Sequence, residues 1–376
     1  MWLIGRTHRL RRFHPAVLRI DLIGGGFALR AVVRSLYPLI GAFVLTLTVS
    51  PAGSALAQPA PPSPPISCRQ QPTKIVGFED RPWFQPLPAA PREAQMQLLG
   101  FGLSHPSEYM TRPGYHKVWD VTLGKELPLF VVSRAARPDR MDKGCWGAGL
   151  WFPVDSHFLL DFTEDQQPII NNGYHVAFAG KVVYGLTDRD QIAAKLEVEH
   201  ESDHMSDEAV INALGMYGDQ FRRIDINYQS LEVGVSWDRR YRLGTITHRF
   251  STLWTIDGWG HPGFYSPGVH GHDAILPSTR NYEPAYGFQF MPAATHGLRP
   301  YVSFDARLRT ILNYSKQRPG QKESSQFSPA LVIGLRDFGH KNVPDVIFKA
   351  YYGVNPNGQF GKQDGYRLFA VGFQFR

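Results

Sequence analysis

Residues 302–309 read Val302-Ser303-Phe304-Asp305-Ala306-Arg307-Leu308-Arg309. Val302, Phe304, Ala306 and Leu308 make one stripe, and Ser303, Asp305, Arg307 and Arg309 make the other. A period of two is that of a β-strand whose faces meet different surroundings. A soluble sandwich would turn the apolar stripe into a core. A membrane barrel turns it to lipid and keeps the charges inside. The pattern recurs along the chain. Ile192, Ala194, Leu196 and Val198 alternate with Ala193, Lys195, Glu197 and Glu199, and further runs lie at 118–123, 146–152, 158–162, 174–184, 224–228, 246–254, 282–290, 331–335, 346–352 and 369–375.

Three features choose the membrane. The alternating runs approach the length of about 9–11 residues that a tilted strand needs to cross a bilayer. Short connections (187–190, 238–240, 292–297) alternate with long ones (205–220, 257–281, 314–326, 354–365), as periplasmic turns alternate with external loops. A leader precedes them: Leu36–Val49 is apolar, arginines come before it, and Ala55-Leu56-Ala57 offers a small-x-small cleavage site. The net charge of +7 belongs mostly to that leader, where seven arginines face Asp21 alone. The body is therefore nearly neutral, and nucleic acid is not an expected partner.

The expectation is an all-β chain: a signal peptide over 1–57, a Pro-rich periplasmic lead over 58–92, and one antiparallel transmembrane barrel of about twelve strands over 93–376 in the bacterial outer membrane. Outer-membrane lipids and the barrel-assembly machinery are its expected partners. The closing run Phe369-Ala370-Val371-Gly372-Phe373-Gln374-Phe375-Arg376 resembles the signal that machinery reads, with Arg376 added after the aromatic. Trp119, Trp151, Trp237, Trp254 and Tyr282 are expected in interfacial girdles. Lys195, Glu197, Asp305, Arg307 and Arg309 are expected in the lumen, where Arg307→Ala would be tolerated. The two cysteines, Cys68 and Cys145, are candidates for pairing in an oxidising compartment.

The candidate chemistry lies at His200-Glu201-Ser202-Asp203-His204-Met205-Ser206-Asp207-Glu208. His200 and Ser202 continue the Ile192–Val198 stripe, so they face the bilayer, side by side on one strand. A histidine so placed can activate a serine as a nucleophile. Asn172 is the candidate orienting group, while Asp225 and Asn227 are assigned to the inner face. His200-Glu201-Ser202 resembles the His-x-Ser of outer-membrane phospholipase A and of the lipid A deacylase, a likeness that implies hydrolysis of an outer-leaflet lipid. The wider segment 165–232 resembles an uncharacterised outer-membrane barrel family, domain of unknown function 1207. There Ile170–Tyr174, His200–Glu208 and Arg223–Tyr228 stand for its motifs, with Asp203 and Ser206 departing from them. That resemblance implies a barrel and no activity.

A plainer reading of 200–208 ranks ahead of catalysis. Polar residues belong where a strand leaves lipid, and His204, Asp207 and Glu208 would form a rim network or hold a divalent cation. His270, His272 and Asp273, in the Gly-rich 257–281 loop, are a second candidate metal group, though a surface loop is the stronger reading. No cofactor is expected beyond such a cation. The function expected is thus a structural or pore-type outer-membrane barrel, with a lipid hydrolase using His200 and Ser202 as the alternative.

Overall fold

The computed structural model describes residues 68, 72–75, 83–91, 93–105, 116–135, 141–162, 169–204, 226–256, 282–293, 297–311, 324–340, 343–356 and 365–375. The 1–57 leader, Asp207, Glu208, His270, His272 and Asp273 lie outside them. Thirteen strands are described: β1 (Lys74–Ile75), β2 (Met96–His105), β3 (His116–Ser133), β4 (Trp146–Asp161), β5 (Ile169–Gly185), β6 (Asp190–His204), β7 (Ile226–Tyr241), β8 (Gly244–Ile256), β9 (Tyr282–Pro292), β10 (Leu298–Ile311), β11 (Ser324–Asp337), β12 (Asp345–Gly353) and β13 (Tyr366–Phe375).

From β2 onward each strand pairs antiparallel with the next. β13 returns to β2, with Phe375 opposite Met96 and Arg367 opposite His105. That last pairing leaves no open edge, and the twelve strands β2–β13 form a closed barrel. β1 adds two residues to the far end of β3, Lys74 opposite Ser133. One rim carries the connections 134–145, 186–189, 242–243, 293–297 and 338–344, together with the start of β2 and the end of β13. The other carries the ends of β2, β4, β6, β8, β10 and β12, each separated from the next strand by a connection of 7–25 residues in the sequence. The expected short turn at 238–240 is still strand, because the β7–β8 ladder runs on to Tyr241 opposite Gly244.

The polarity is inside out. Phe178, Val182, Leu196, Val198, Phe250 and Phe327 are each more than half exposed on the outer face, while Lys195, Glu197, Glu232, Asp305, Arg307 and Arg309 are buried within. Burying charge while presenting apolar side chains would be unstable in water. Against hydrocarbon both faces are satisfied, so the chain is an outer-membrane β-barrel. Inside, Leu99, Val118, Leu159, Tyr301, Val332, Ile347, Tyr351, Tyr366 and Leu368 make an apolar wall along β2–β4 and β10–β13. The charged groups cluster mainly on the wall from β5 to β10.

One expectation about the aromatic positions changes. Trp151 is not in a girdle. It is 1% exposed inside the barrel, its ring edge-on to Trp83 at 5.9 Å. His248, on the lipid-facing parity of β8, is screened rather than bare. It stacks on Trp237 at 5.5 Å and its Nδ1 lies 2.9 Å from the Tyr286 hydroxyl.

Cys68 and Cys145 form a disulfide, Cα atoms 5.3 Å apart, across 77 residues of chain. It fastens the segment before the barrel to the β3–β4 turn. Closing so long a loop stabilises by about 2–5 kcal/mol. Cys145→Ser is therefore expected to lower the urea midpoint of the detergent-solubilised barrel, and reductant should do the same to the natural protein but not to the variant. An unchanged midpoint in both comparisons would show that the bridge adds nothing.

Candidate functional site

The described part of the lead does not stop at the rim. Trp83-Phe84-Gln85-Pro86-Leu87-Pro88-Ala89-Ala90-Pro91 is too rich in proline to join a ladder, and its apolar side chains need cover. Trp83, Phe84, Leu87, Ala89 and Ala90 are each at most 3% exposed. Their partners come from inward positions right round the barrel, so the segment lies in the lumen as a plug. The wall makes room for it with glycines. A Cβ on Gly147 of β4 would sit 2.2 Å from the Trp83 ring, one on Gly234 of β7 2.6 Å from Phe84, and one on Gly287 of β9 2.2 Å from Leu87.

Side chains satisfy the plug's backbone, as a buried chain without a ladder requires. Lys181 Nζ donates to the Phe84 carbonyl at 3.2 Å. Gln97 Nε2 donates to the Pro88 carbonyl at 2.9 Å, and the Ala89 amide donates to Ser303 Oγ at 3.3 Å. Glu93 accepts from the Leu87 amide at 2.5 Å. Arg249 is the principal clamp. It pairs with Glu93, donates to the Gln85 carbonyl, and lies 4.1 Å from the centre of the Phe84 ring. Phe84 has φ of 53°, the one positive value among described non-glycine residues. Such a backbone costs about 1–3 kcal/mol and persists only where its surroundings hold it, here Lys181 on its carbonyl and Arg249 on its ring.

Behind the plug the lumenal charges are held in ion pairs. Glu232 takes Lys195 at 2.6 Å and Arg307 at 3.3 Å. Lys195 also reaches Glu197 at 3.4 Å, Arg307 reaches Asp305 at 3.6 Å, and Arg309 reaches Glu283 at 3.8 Å. All five lumen candidates named from the sequence, Lys195, Glu197, Asp305, Arg307 and Arg309, are thus buried in ion pairs. The Lys181–Glu126 pair at 2.5 Å lies on the β3–β5 side. Sequence reading missed Arg249 and Glu93. Arg249 is visible as the inward neighbour of the outward Phe250, but nothing in the sequence says which acid meets it.

The His-x-Ser pair is elsewhere. His200 and Ser202 are on the outer parity of β6, partly exposed, toward the rim with the long connections. Val176 and Gln229 stand opposite His200, and Tyr174 and Asn227 opposite Ser202. Asn172 is four residues along β5 from Val176, in register with His204, and its Nδ2 donates to the Tyr174 hydroxyl at 2.9 Å. It does not stand beside His200. The register departs from the inner parity expected for Asn227: β7 pairs it with Ser202, two positions from Gln229, and Asp225 lies outside the described residues. The apparent stripe Ile224, Ile226, Tyr228 misled, since the exposed positions further along β7 are Val233, Val235 and Trp237. The amide beside His200 is therefore Gln229, which no sequence signal singled out.

The class these observations define is a closed transmembrane barrel with an internal plug. No family model matches the chain, and no curated protein does either, so neither the domain of unknown function 1207 nor a phospholipase family is shown. Among solved structures, the chain is similar to the β domain of the Bordetella autotransporter Brka, with 10% identity, 75% of this chain and 98% of that one covered, and a TM-score of 0.38. It is also similar to the translocator domain of the autotransporter NalP from Neisseria meningitidis, with 11% identity, coverage of 75% and 86%, and a TM-score of 0.33. At these scores the likeness assigns no activity, and the barrel is read from this chain's own strand pairing and faces.

Proposed function

We propose that this protein is a plugged pore of the outer membrane, closed in the described state by its own residues 83–91 and 93–95. The observation that carries the reading is the seat of the plug: three wall glycines facing Trp83, Phe84 and Leu87, with Arg249 clamping Glu93. Barrel size supports it. Eight strands leave room only for side chains and sixteen leave a water-filled channel, so twelve leave a lumen that one extended segment can stopper. Insertion by the barrel-assembly machinery is supported by β13, where Val371, Phe373 and Phe375 are exposed to the lipid side.

Conductance across a planar bilayer tests it. The full chain is expected to be silent, and a variant lacking 83–91 to show discrete openings. A full chain that conducts as well as the deletion variant, or a deletion variant that stays silent while inserting normally, would leave only a structural barrel.

One observation keeps a second reading, lipid hydrolysis at the outer leaflet. His200 and Ser202 share the lipid-facing side of β6, and Gln229 stands next to His200 as a group able to orient it. On that reading Ser202 is the nucleophile, His200 its base and Gln229 a positioning residue. Ser202→Ala and His200→Ala would each abolish release of fatty acid from phospholipid or lipid A, and Gln229→Ala would lower turnover more than substrate affinity. Purified barrel that releases no fatty acid with or without calcium ends this reading.

A further inference from the structure

One group of lumenal side chains lies beside the Glu232 pairs and shares only Glu197 with them, through Lys195. His175 of β5 lies between two carboxylates: its Nδ1 is 2.8 Å from Asp155 Oδ2 on β4, and its Nε2 is 3.0 Å from Glu199 Oε2 on β6. Glu197 brings a third. One ligand atom from each of His175, Glu197 and Glu199 falls within 4.8 Å of the others, and all three residues are buried. A neutral imidazole has one ring proton. If Asp155 holds it on Nδ1, the Nε2 lone pair points at a carboxylate oxygen that is itself an acceptor. Two acceptors 3.0 Å apart require a positive charge between them, either a second proton or a metal ion.

The surroundings suit an ion. A histidine whose second nitrogen is held by a carboxylate is the usual arrangement behind a metal ligand. Ligands about 2.0–2.2 Å from a tetrahedral ion lie roughly 3.4 Å from one another, so the 3.0 Å His175–Glu199 separation has to open by only a few tenths of an ångström to admit one. Lys195, the nearest cation to Glu197, is closer to Glu232. A cavity of about 30 Å³ adjoins His175 on its Asp155 side, lined also by His157, Glu201 and Asp203 but not by Glu197 or Glu199. Such a space holds about one water molecule. His157 is already taken up by Asp120 at 2.6 Å.

We infer that His175, Glu197 and Glu199 bind one divalent transition-metal ion of the zinc class in the lumen, with Asp155 orienting His175. One imidazole with two carboxylates is a donor set such an ion accepts. The ion joins β5 to β6, and through Asp155 to β4, on the plug face toward the long connections. This site uses none of the residues of the rim group (His204, Asp207, Glu208) or of the loop group (His270, His272, Asp273).

The test is zinc titration of the full chain in detergent, without a polyhistidine tag, after chelator treatment and dialysis. One zinc per barrel is expected, with micromolar or tighter affinity. Glu199→Gln and His175→Gln should each weaken it at least tenfold, and Asp155→Asn by about 10–100-fold. The His270→Ala/His272→Ala double variant should bind as the natural chain does. Cobalt(II) supplies a readout independent of affinity, a visible absorption band present in the natural protein and missing from Glu199→Gln. Heat-modifiable gel migration checks that each variant is folded, and Glu197→Gln replaces any that is not. Failure to bind zinc or cobalt would overturn the site and leave His175 as an imidazolium bridging two carboxylates. Loss of binding in the loop double variant would overturn it equally.

Discussion

Gly147→Leu combined with Gly234→Leu is expected to expel the plug and convert a silent barrel into a conducting one. Neither position faces lipid, and both wall strands keep their ladders, so the substitutions act on the interior alone. At Gly147 the added Cβ would meet the Trp83 ring at 2.2 Å, and at Gly234 the Phe84 ring at 2.6 Å. Neither ring can turn aside. Trp83 is wedged against Trp151, and Phe84 lies under Arg249. Overpacking of this kind costs typically about 1–3 kcal/mol per site. The plug has no ladder bonds to set against it, while each barrel strand has two neighbours. The plug should therefore yield before the wall. The measurement is single-channel conductance, paired with protease cleavage near Gln85, which should appear only in the variant. A double variant that inserts normally but stays silent and uncut would show that the plug can shift within the lumen without leaving it.

Phe304→Arg is expected to block stable insertion, the second large effect. Phe304 sits mid-strand on the outer parity of β10, between Phe288 and Leu331, and arginine facing lipid near the midplane costs about 2–4 kcal/mol. Alternation alone marks its neighbour Arg307 as a lumen residue that can be trimmed, and here the structure reverses the expectation. Arg307 is 2% exposed between Glu232 and Asp305. Removing one member of a buried pair costs up to about 3–5 kcal/mol. Arg307→Ala is therefore expected to insert but to unfold at lower urea, with Arg307→Met intermediate, because methionine refills the volume without restoring the charge. Heat-modifiable migration reads insertion and urea titration reads stability. Normal migration of Phe304→Arg would contradict the assignment of faces on β10.

The sequence by itself determined the barrel. A period of two sustained over whole strands, with charge on one stripe and apolar residues on the other, has few stable outcomes once the strands are long enough to cross a bilayer. Strand number followed from counting runs, and the sidedness of Asp305, Arg307 and Arg309 from parity within a single strand. Parity failed where the alternation was doubled: Ile224, Ile226 and Tyr228 made a convincing stripe, yet register with β6 pairs Asn227 with Ser202. Only closure of the sheet decided which side chains from distant strands meet. Arg249 and Glu93 are 156 residues apart, while Asp155, His175 and Glu199 meet through the register of the neighbouring strands β4, β5 and β6. No local pattern encodes such meetings. The plug was hidden for a related reason. A Pro-rich stretch has no periodicity of its own, and its place in the lumen follows from glycines on β4, β7 and β9, whose empty space becomes visible only when the wall curves round to face it.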